Sequence, residues 1–150
     1  MKSSKSPYIV TKDLNTERLW KKNSPLLPHL DMELTERCNN RCIHCYINQP
    51  ENDAGIREKE MSTARVKEIL DQAASLGCLT VRLTGGEPLL REDFSDIYLY
   101  TRRLGIKVKL CTNATRITPE IAGLLKRYPP GEPLEITLYG MRPASYEAVS

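Results

Sequence analysis

The sequence contains no apolar run approaching the roughly 20 residues of a membrane-spanning helix, so no membrane partner is expected. It also lacks an excess of one charge: 22 Lys and Arg stand against 19 Asp and Glu, a net charge of +3. That bias is too small to point to nucleic acid or a membrane surface as partner. No apolar core follows the lysines of the first ten residues, so no secretory signal is expected and the expected compartment is the cytoplasm. An even complement of cysteines is missing as well; there are five, and three of them fall between positions 38 and 45. Without a secretory signal, such clustering points to metal ligation before disulfides. What is present is a soluble globular balance, 40% apolar and 27% charged, which excludes a mainly disordered chain. A length of 150 residues suits one ordinary domain.

Residues 1–29 read as a lead-in segment, with a short apolar run at Tyr8-Ile9-Val10, a Trp20, and prolines 25 and 28. A regular pattern begins at residue 30 and defines the expected domain, 30–150. Strands are predicted at 30–35, 79–84, 106–112 and 134–139. Val66, Ile69, Leu70, Ala73 and Ala74 recur on one helical face, and Gly77 sits where a glycine would end that helix. Phe94, Ile97, Tyr98 and Leu104 mark the next helix, closed by Gly105. Thr118-Pro119 is a cap followed by proline at the first helical position, and Pro143 opens another helix. The last three strands recur about every 27 residues. Strand–helix alternation at that period means βαβ units and a parallel sheet, so the fold class is α/β with about four βα units. The first gap is longer because 36–60 is expected to be a loop carrying the cysteines. Four units cannot close a barrel. The alternatives are a compact open α/β domain and, favoured here, the N-terminal part of a larger barrel.

The cysteines are spaced Cys38-x3-Cys42-x2-Cys45, directly after the first strand. Parallel α/β folds build their active sites at that strand end, because the following loops converge there. Three thiolates on one loop can hold three irons of a cubane, whereas ordinary [4Fe–4S] ferredoxin sites use four cysteines. The open iron is what a catalytic metal site needs. Structural zinc with His44 as fourth ligand is an alternative, although His44 directly precedes Cys45 and usual zinc spacings separate ligands by at least two residues. A disulfide or a chance cluster is another.

After the second strand comes Gly85-Gly86-Glu87-Pro88. Its glycines permit close backbone approach and unusual φ values, and Pro88 stiffens the exit. Exposed carbonyls together with the Glu87 carboxylate would make an acceptor-rich edge suited to an ammonium group. There is no Lys-Ser/Thr pair, so this is not a phosphate-cradling P-loop. A plain turn is the alternative.

The two motifs, in this order and on these elements, make the chain resemble the radical S-adenosylmethionine (radical SAM) superfamily from about residue 28 onward. Within it, the similarity is to the N-terminal portion of a SPASM-type member, one that carries a cysteine-rich C-terminal extension for auxiliary clusters. The resemblance implies a partial (β/α)6 TIM-like barrel of which about four βα units are present. It implies a [4Fe–4S] cluster on Cys38, Cys42 and Cys45, with S-adenosylmethionine chelating the open iron. The implied activity is reductive cleavage of S-adenosylmethionine to a 5′-deoxyadenosyl radical that abstracts hydrogen, with an electron from a flavodoxin- or ferredoxin-type donor. Peptide modification and cofactor biosynthesis are the implied settings. By the same resemblance His44 contacts adenine, Gly85, Gly86, Glu87 and Pro88 receive the methionine amine, Asn113 lies near the site mouth, and Thr137 lies there too, near the ribose or carboxylate. Asn113 could equally be a turn residue, and Thr137 a residue of simple β-propensity. Cys78 and Cys111 are expected to be small buried residues, and Arg102, Arg103, Lys107 and Lys109 part of a solvated face. The chain is expected to be too short to act as a self-sufficient catalyst, and a non-catalytic iron–sulfur or zinc module is the alternative function.

Overall fold

The computed structural model describes residues 25–47 and 49–150. Most of the expected lead-in lies outside these residues. Its described end docks on the domain: the Leu27 N–H donates to Leu76 O, and Pro28 O accepts from the N–H groups of Leu79 and Thr80.

Four parallel strands form the main sheet: β1 (His29–Thr35), β4 (Thr80–Gly85), β5 (Lys107–Thr112) and β6 (Glu135–Ile136), in the spatial order β1-β4-β5-β6. Between β1 and β4 come a two-residue parallel pair, β2 (Arg37–Cys38) with β3 (Gln49–Pro50), and two helices, α1 (Ala54–Lys59) and α2 (Thr63–Ser75). Helix α3 (Phe94–Arg103) connects β4 to β5, α4 (Pro119–Arg127) connects β5 to β6, and α5 (Pro143–Glu147) follows β6. The alternation and helix ends agree with the sequence reading. Ser62 and Thr118 cap α2 and α4 by accepting from Arg65 N–H and Ile121 N–H. Gly77 and Gly105 take the left-handed conformation just beyond α2 and α3.

One face of the sheet is dry. Met32 and Leu34 of β1, Val81 and Leu83 of β4, and Val108 and Leu110 of β5 are buried against Val66, Leu70 and Ala73 of α2 and Phe94, Ile97 and Tyr98 of α3. Full burial of such a side chain contributes about 1.5–3 kcal/mol each, so this layer carries the fold. The opposite face is open and charged. Asp31 pairs with Arg82 across β1 and β4, and Lys109 pairs with Glu135 at 2.6 Å across β5 and β6.

The structure departs from the sequence reading in several places. The expected strand 134–139 is two residues long, since only Cys111 and Thr112 of β5 pair with it; Ile136 and Leu138 are 52% and 62% exposed. The expected loop 36–60 contains β2, β3 and α1, the last capped by the Asp53 carboxylate accepting from Ile56 N–H. Cys111 faces the open side half-buried rather than lying in the core, and its thiol donates to Glu135 at 3.1 Å. Burial first, and then that carboxylate, push the Cys111 thiol up to about 11. Cys78 is buried as expected. Lys109 is tied to Glu135, not freely solvated.

Candidate metal centre and cofactor site

The chain leaves β1 at Thr35 and reaches Cys38 three residues later, and the glycine turn is hydrogen-bonded to that short stretch. Gly86 N–H donates to Thr35 O and Glu87 N–H to Arg37 O, both at 2.8 Å. The glycine turn is therefore in direct backbone contact with the segment that enters the first cysteine. The glycines make the contact possible. A Cβ at Gly85 would stand 2.2 Å from Thr35 O, and one at Gly86 would stand 2.2 Å from Arg37 O. Gly85 also has φ +122°, a conformation L side chains rarely adopt. The space a side chain would fill is occupied by the backbone leading to the first cysteine, so these glycines place the cysteine loop whatever else they receive.

The Glu87 carboxylate does not form the exposed edge expected of it. The residue is fully buried. Its oxygens accept from Leu89 N–H at 3.0 Å, from the Thr112 hydroxyl at 2.8 and 3.0 Å, and from Asn113 N–H at 2.7 Å. A buried carboxylate is tolerated only when its lone pairs are taken up in this way. It ties the turn after β4 to the end of β5. Pro88 opens a short 3-10 turn, 88–90, and is buried with it.

Arg91 follows this turn. Its guanidinium donates to Leu34 O and Met61 O, each at 3.0 Å, and grips Asp93 in a two-pronged pair at 2.8 and 2.6 Å. Beside it, Arg37 Nε donates to Glu60 at 2.7 Å, and the Thr35 hydroxyl donates to the same carboxylate oxygen. Arg37 Nη1 reaches Glu51 O at 3.1 Å, which holds β2 and the residues after β3 together. Burial alone would push Glu60 up; the Arg37 and Thr35 hydrogen bonds outweigh it and hold the carboxyl below its usual range. The Arg91 guanidinium holds Asp93 below its usual range too. Both carboxyls bind protons more weakly folded than unfolded, so their stabilisation is complete above the unfolded values of about 4. It is lost as pH falls through the folded values. Denaturant midpoints should thus decline as pH is lowered from about 5 to 3, and Glu60→Gln should flatten that decline. A decline of the same steepness in the variant would show that Glu60 does not drive it.

The cysteine loop is held from both flanks. On one side Asn39 Nδ2 donates to Thr115 Oγ1 at 2.7 Å and Asn39 Oδ1 accepts from Asn113 Nδ2 at 2.9 Å. On the other, Asn40 Nδ2 donates to Tyr146 Oη at 3.1 Å, and Ile43 N–H donates to Val149 O at 2.9 Å. His44 is exposed, 2.9 Å through Nε2 from Tyr139 Oη, with the rings edge to face at 4.8 Å. Tyr139 also meets Cys42; burial first, and then the hydrogen bond to that sulfur, push its phenol up to about 12. Thr137 lies just past β6, its N–H donating to Thr112 O at 3.1 Å, so it shares the strand-end rim with Asn113. Tyr46 is exposed and donates to Glu33 at 2.7 Å. Thr112, Arg37, Glu60, Asn39 and Asn40 were missed by sequence reading. The Asn-Asn pair between the first two cysteines was the only signal for any of them.

Cys38, Cys42 and Cys45 are half-buried free thiols. Burial pushes the Cys38 thiol up, against the lowering effect of the Asn40 N–H. Among the described residues no three His, Cys, Asp or Glu side chains converge where one ion could sit. Ligands of a single zinc ion lie about 2.0–2.3 Å from it. The three thiols lie on one loop, and His44 Nε2, the fourth ligand of the zinc alternative, is hydrogen-bonded to Tyr139.

A parallel βα sheet thus carries three thiols on the loop after its first strand, and the segment entering that loop is bonded to a glycine turn after the next strand. The Radical SAM superfamily profile matches residues 32–143, and the chain belongs to that superfamily. Among curated relatives, Fe-coproporphyrin III synthase of Methanosarcina barkeri is 35% identical over 99 residues, 66% of this chain and 24% of the relative. PqqA peptide cyclase of Xanthomonas oryzae is 40% identical over 82 residues, 55% of this chain and 21% of the relative. Among solved structures, Streptococcus suis SuiB bound to S-adenosylmethionine superposes with TM-score 0.63 at 24% identity, over 83% of this chain and 27% of that one. The shared fold is thus the parallel βα architecture, and the chain spans about a quarter of the length of these proteins. Among the described residues no helix is long and apolar enough to cross a membrane.

Proposed function

We propose that residues 30–150 form the core of a radical SAM enzyme in which Cys38, Cys42 and Cys45 hold a [4Fe–4S] cluster and the adjoining rim receives S-adenosylmethionine. The observation that carries this reading is the direct backbone pairing between the cysteine segment and the glycine turn. The chemistry supplied there would be one-electron reduction of S-adenosylmethionine to a 5′-deoxyadenosyl radical for hydrogen abstraction. The chain's own residues do the positioning. Gly85 and Gly86 bring the turn's backbone against the thiolate loop, leaving carbonyls of 85–86 as acceptors for the methionine amine. Glu87 holds this turn and the Asn113 backbone in one register. His44, backed by Tyr139, offers an aromatic edge to adenine. Thr137 offers a polar group at the ribose or carboxylate, and Asn113 lies at the mouth of the site. A small flavodoxin- or ferredoxin-type protein of the cytoplasm would supply the electron.

For the substrate we propose a peptide. The open sheet face, lined by Asp31, Arg82, Lys109 and Glu135, presents alternating charges suited to an extended polar chain rather than to an apolar macrocycle.

Anaerobic reconstitution with iron and sulfide tests the reading. The expected result is about four irons per chain, as cubane ligation by thiolates requires. Dithionite and S-adenosylmethionine should then release 5′-deoxyadenosine. Cys38→Ala, Cys42→Ala and Cys45→Ala should each abolish the cluster, while Cys78→Ala and Cys111→Ala should keep it. Stoichiometric zinc with no iron uptake would overturn the reading.

A further inference from the structure

Asn113 stands between the two motifs, with its backbone N–H and both ends of its side-chain amide hydrogen-bonded. Its backbone N–H donates to the buried Glu87 carboxylate at 2.7 Å. Its side-chain oxygen accepts from Thr115 N–H at 3.0 Å and from the Thr115 hydroxyl at 2.6 Å. Two donors on that oxygen fix which end of the amide is which, because only the carbonyl can accept. The amide nitrogen must then face the cysteine loop. One of its N–H groups meets Asn39 Oδ1 at 2.9 Å, and Nδ2 lies 3.9 Å from Cys38 Sγ, within hydrogen-bonding reach of sulfur. Ala114, in the left-handed conformation at φ 63°, makes the sharp bend that brings Thr115 back onto Asn113.

Resting on the proposed cluster, we infer that Asn113 is a positioning residue that donates a hydrogen bond to the Cys38 thiolate and raises the reduction potential of the group bound there. Hydrogen bonds to ligating sulfurs are among the levers that set such potentials. The sign follows from charge. Reduction adds an electron to a thiolate-bound group, a donor N–H stabilises the more negative state more, and the potential rises. Cys38 has a second donor, the Asn40 N–H at 3.4 Å, but that one belongs to the cysteine loop itself. The Asn113 donor comes from β5's end, so the buried Glu87 that holds Asn113 in place acts on the cluster through it.

The test is an electron-paramagnetic-resonance redox titration of reconstituted wild type, Asn113→Leu and Asn39→Ala. Asn113→Leu should load iron and titrate at a more negative midpoint than wild type. Asn39→Ala, which removes the neighbouring contact and leaves the sulfur contact, should shift much less. A loaded Asn113→Leu with an unchanged midpoint overturns the inference while leaving the cluster reading intact. Failure of the wild type to take up iron overturns the cluster reading instead. If Asn113→Leu does not fold, the wild type still decides. With asparagine side-chain amides labelled with nitrogen-15, the reduced cluster should show a weak nitrogen coupling, and absence of coupling overturns the inference.

Discussion

Gly85→Ala should destabilise the domain by about 3 kcal/mol, as backbone strain and overpacking act together. Alanine would be held at φ +122°, and its Cβ would lie 2.2 Å from Thr35 O, a backbone atom with no rotamer to escape into. The strand end must separate from the segment entering Cys38 to relieve the contact, which breaks the Gly86 N–H to Thr35 O bond. Cluster loading should therefore fall together with stability. Urea denaturation of the metal-free protein and iron content after reconstitution measure the two losses. A variant that keeps full stability and full iron content, and loses only affinity for S-adenosylmethionine, would show that the glycine serves the ligand and not the loop.

Glu87→Ala should cost about 3 kcal/mol, because it strands three donors at once, one buried and two half-buried. The Thr112 hydroxyl and the N–H groups of Leu89 and Asn113 lose their acceptor, and the vacated space lies beneath the site. Glu87→Gln keeps the shape and one acceptor oxygen but turns an NH2 toward one of those donors, so it should fall between wild type and alanine. Denaturant titration of the three proteins gives the order. Equal stability for Glu87→Ala and wild type would mean the carboxylate is not the buried anchor described. In Glu87→Ala the Asn113 backbone N–H loses its acceptor, so cluster loading should weaken alongside stability.

The parts of the fold legible in the sequence are those whose signal is local. Met32 and Leu34, Val81 and Leu83, and Val108 and Leu110 alternate with polar residues, and each alternation became a strand with one dry face. The same pattern misled at Ile136 and Leu138, which are exposed. Periodicity shows which face could be buried, while pairing decides whether it is, and only two residues of β6 have a strand partner. Inside 36–60 the opposite happened. A two-residue pair and a six-residue helix are too short for any period to show, and what fixes them is Arg37 reaching Glu60 and Glu51. At the site, residue types and spacing identified the cysteines and the glycine turn. The role of Glu87 was hidden because its environment is set by Thr112 and Asn113, 25 and 26 residues further on.

The clasp around the cysteine loop also sets an order of assembly. A zinc finger can fold around its metal because its ligands and scaffold are one short segment. Here the loop at 38–45 is positioned by residues 86–87, 113, 139, 146 and 149, all later in the chain. During synthesis, when chains grow at about 5–20 residues per second, the thiols emerge seconds before the partners that fix their spacing. On the proposed function, iron–sulfur insertion should thus follow sheet formation, into a site already shaped by the protein. Until then the three thiols wait as separate groups, open to oxidation. The delivery of the cluster, and not the folding of its loop, would be the step that most needs protection from air.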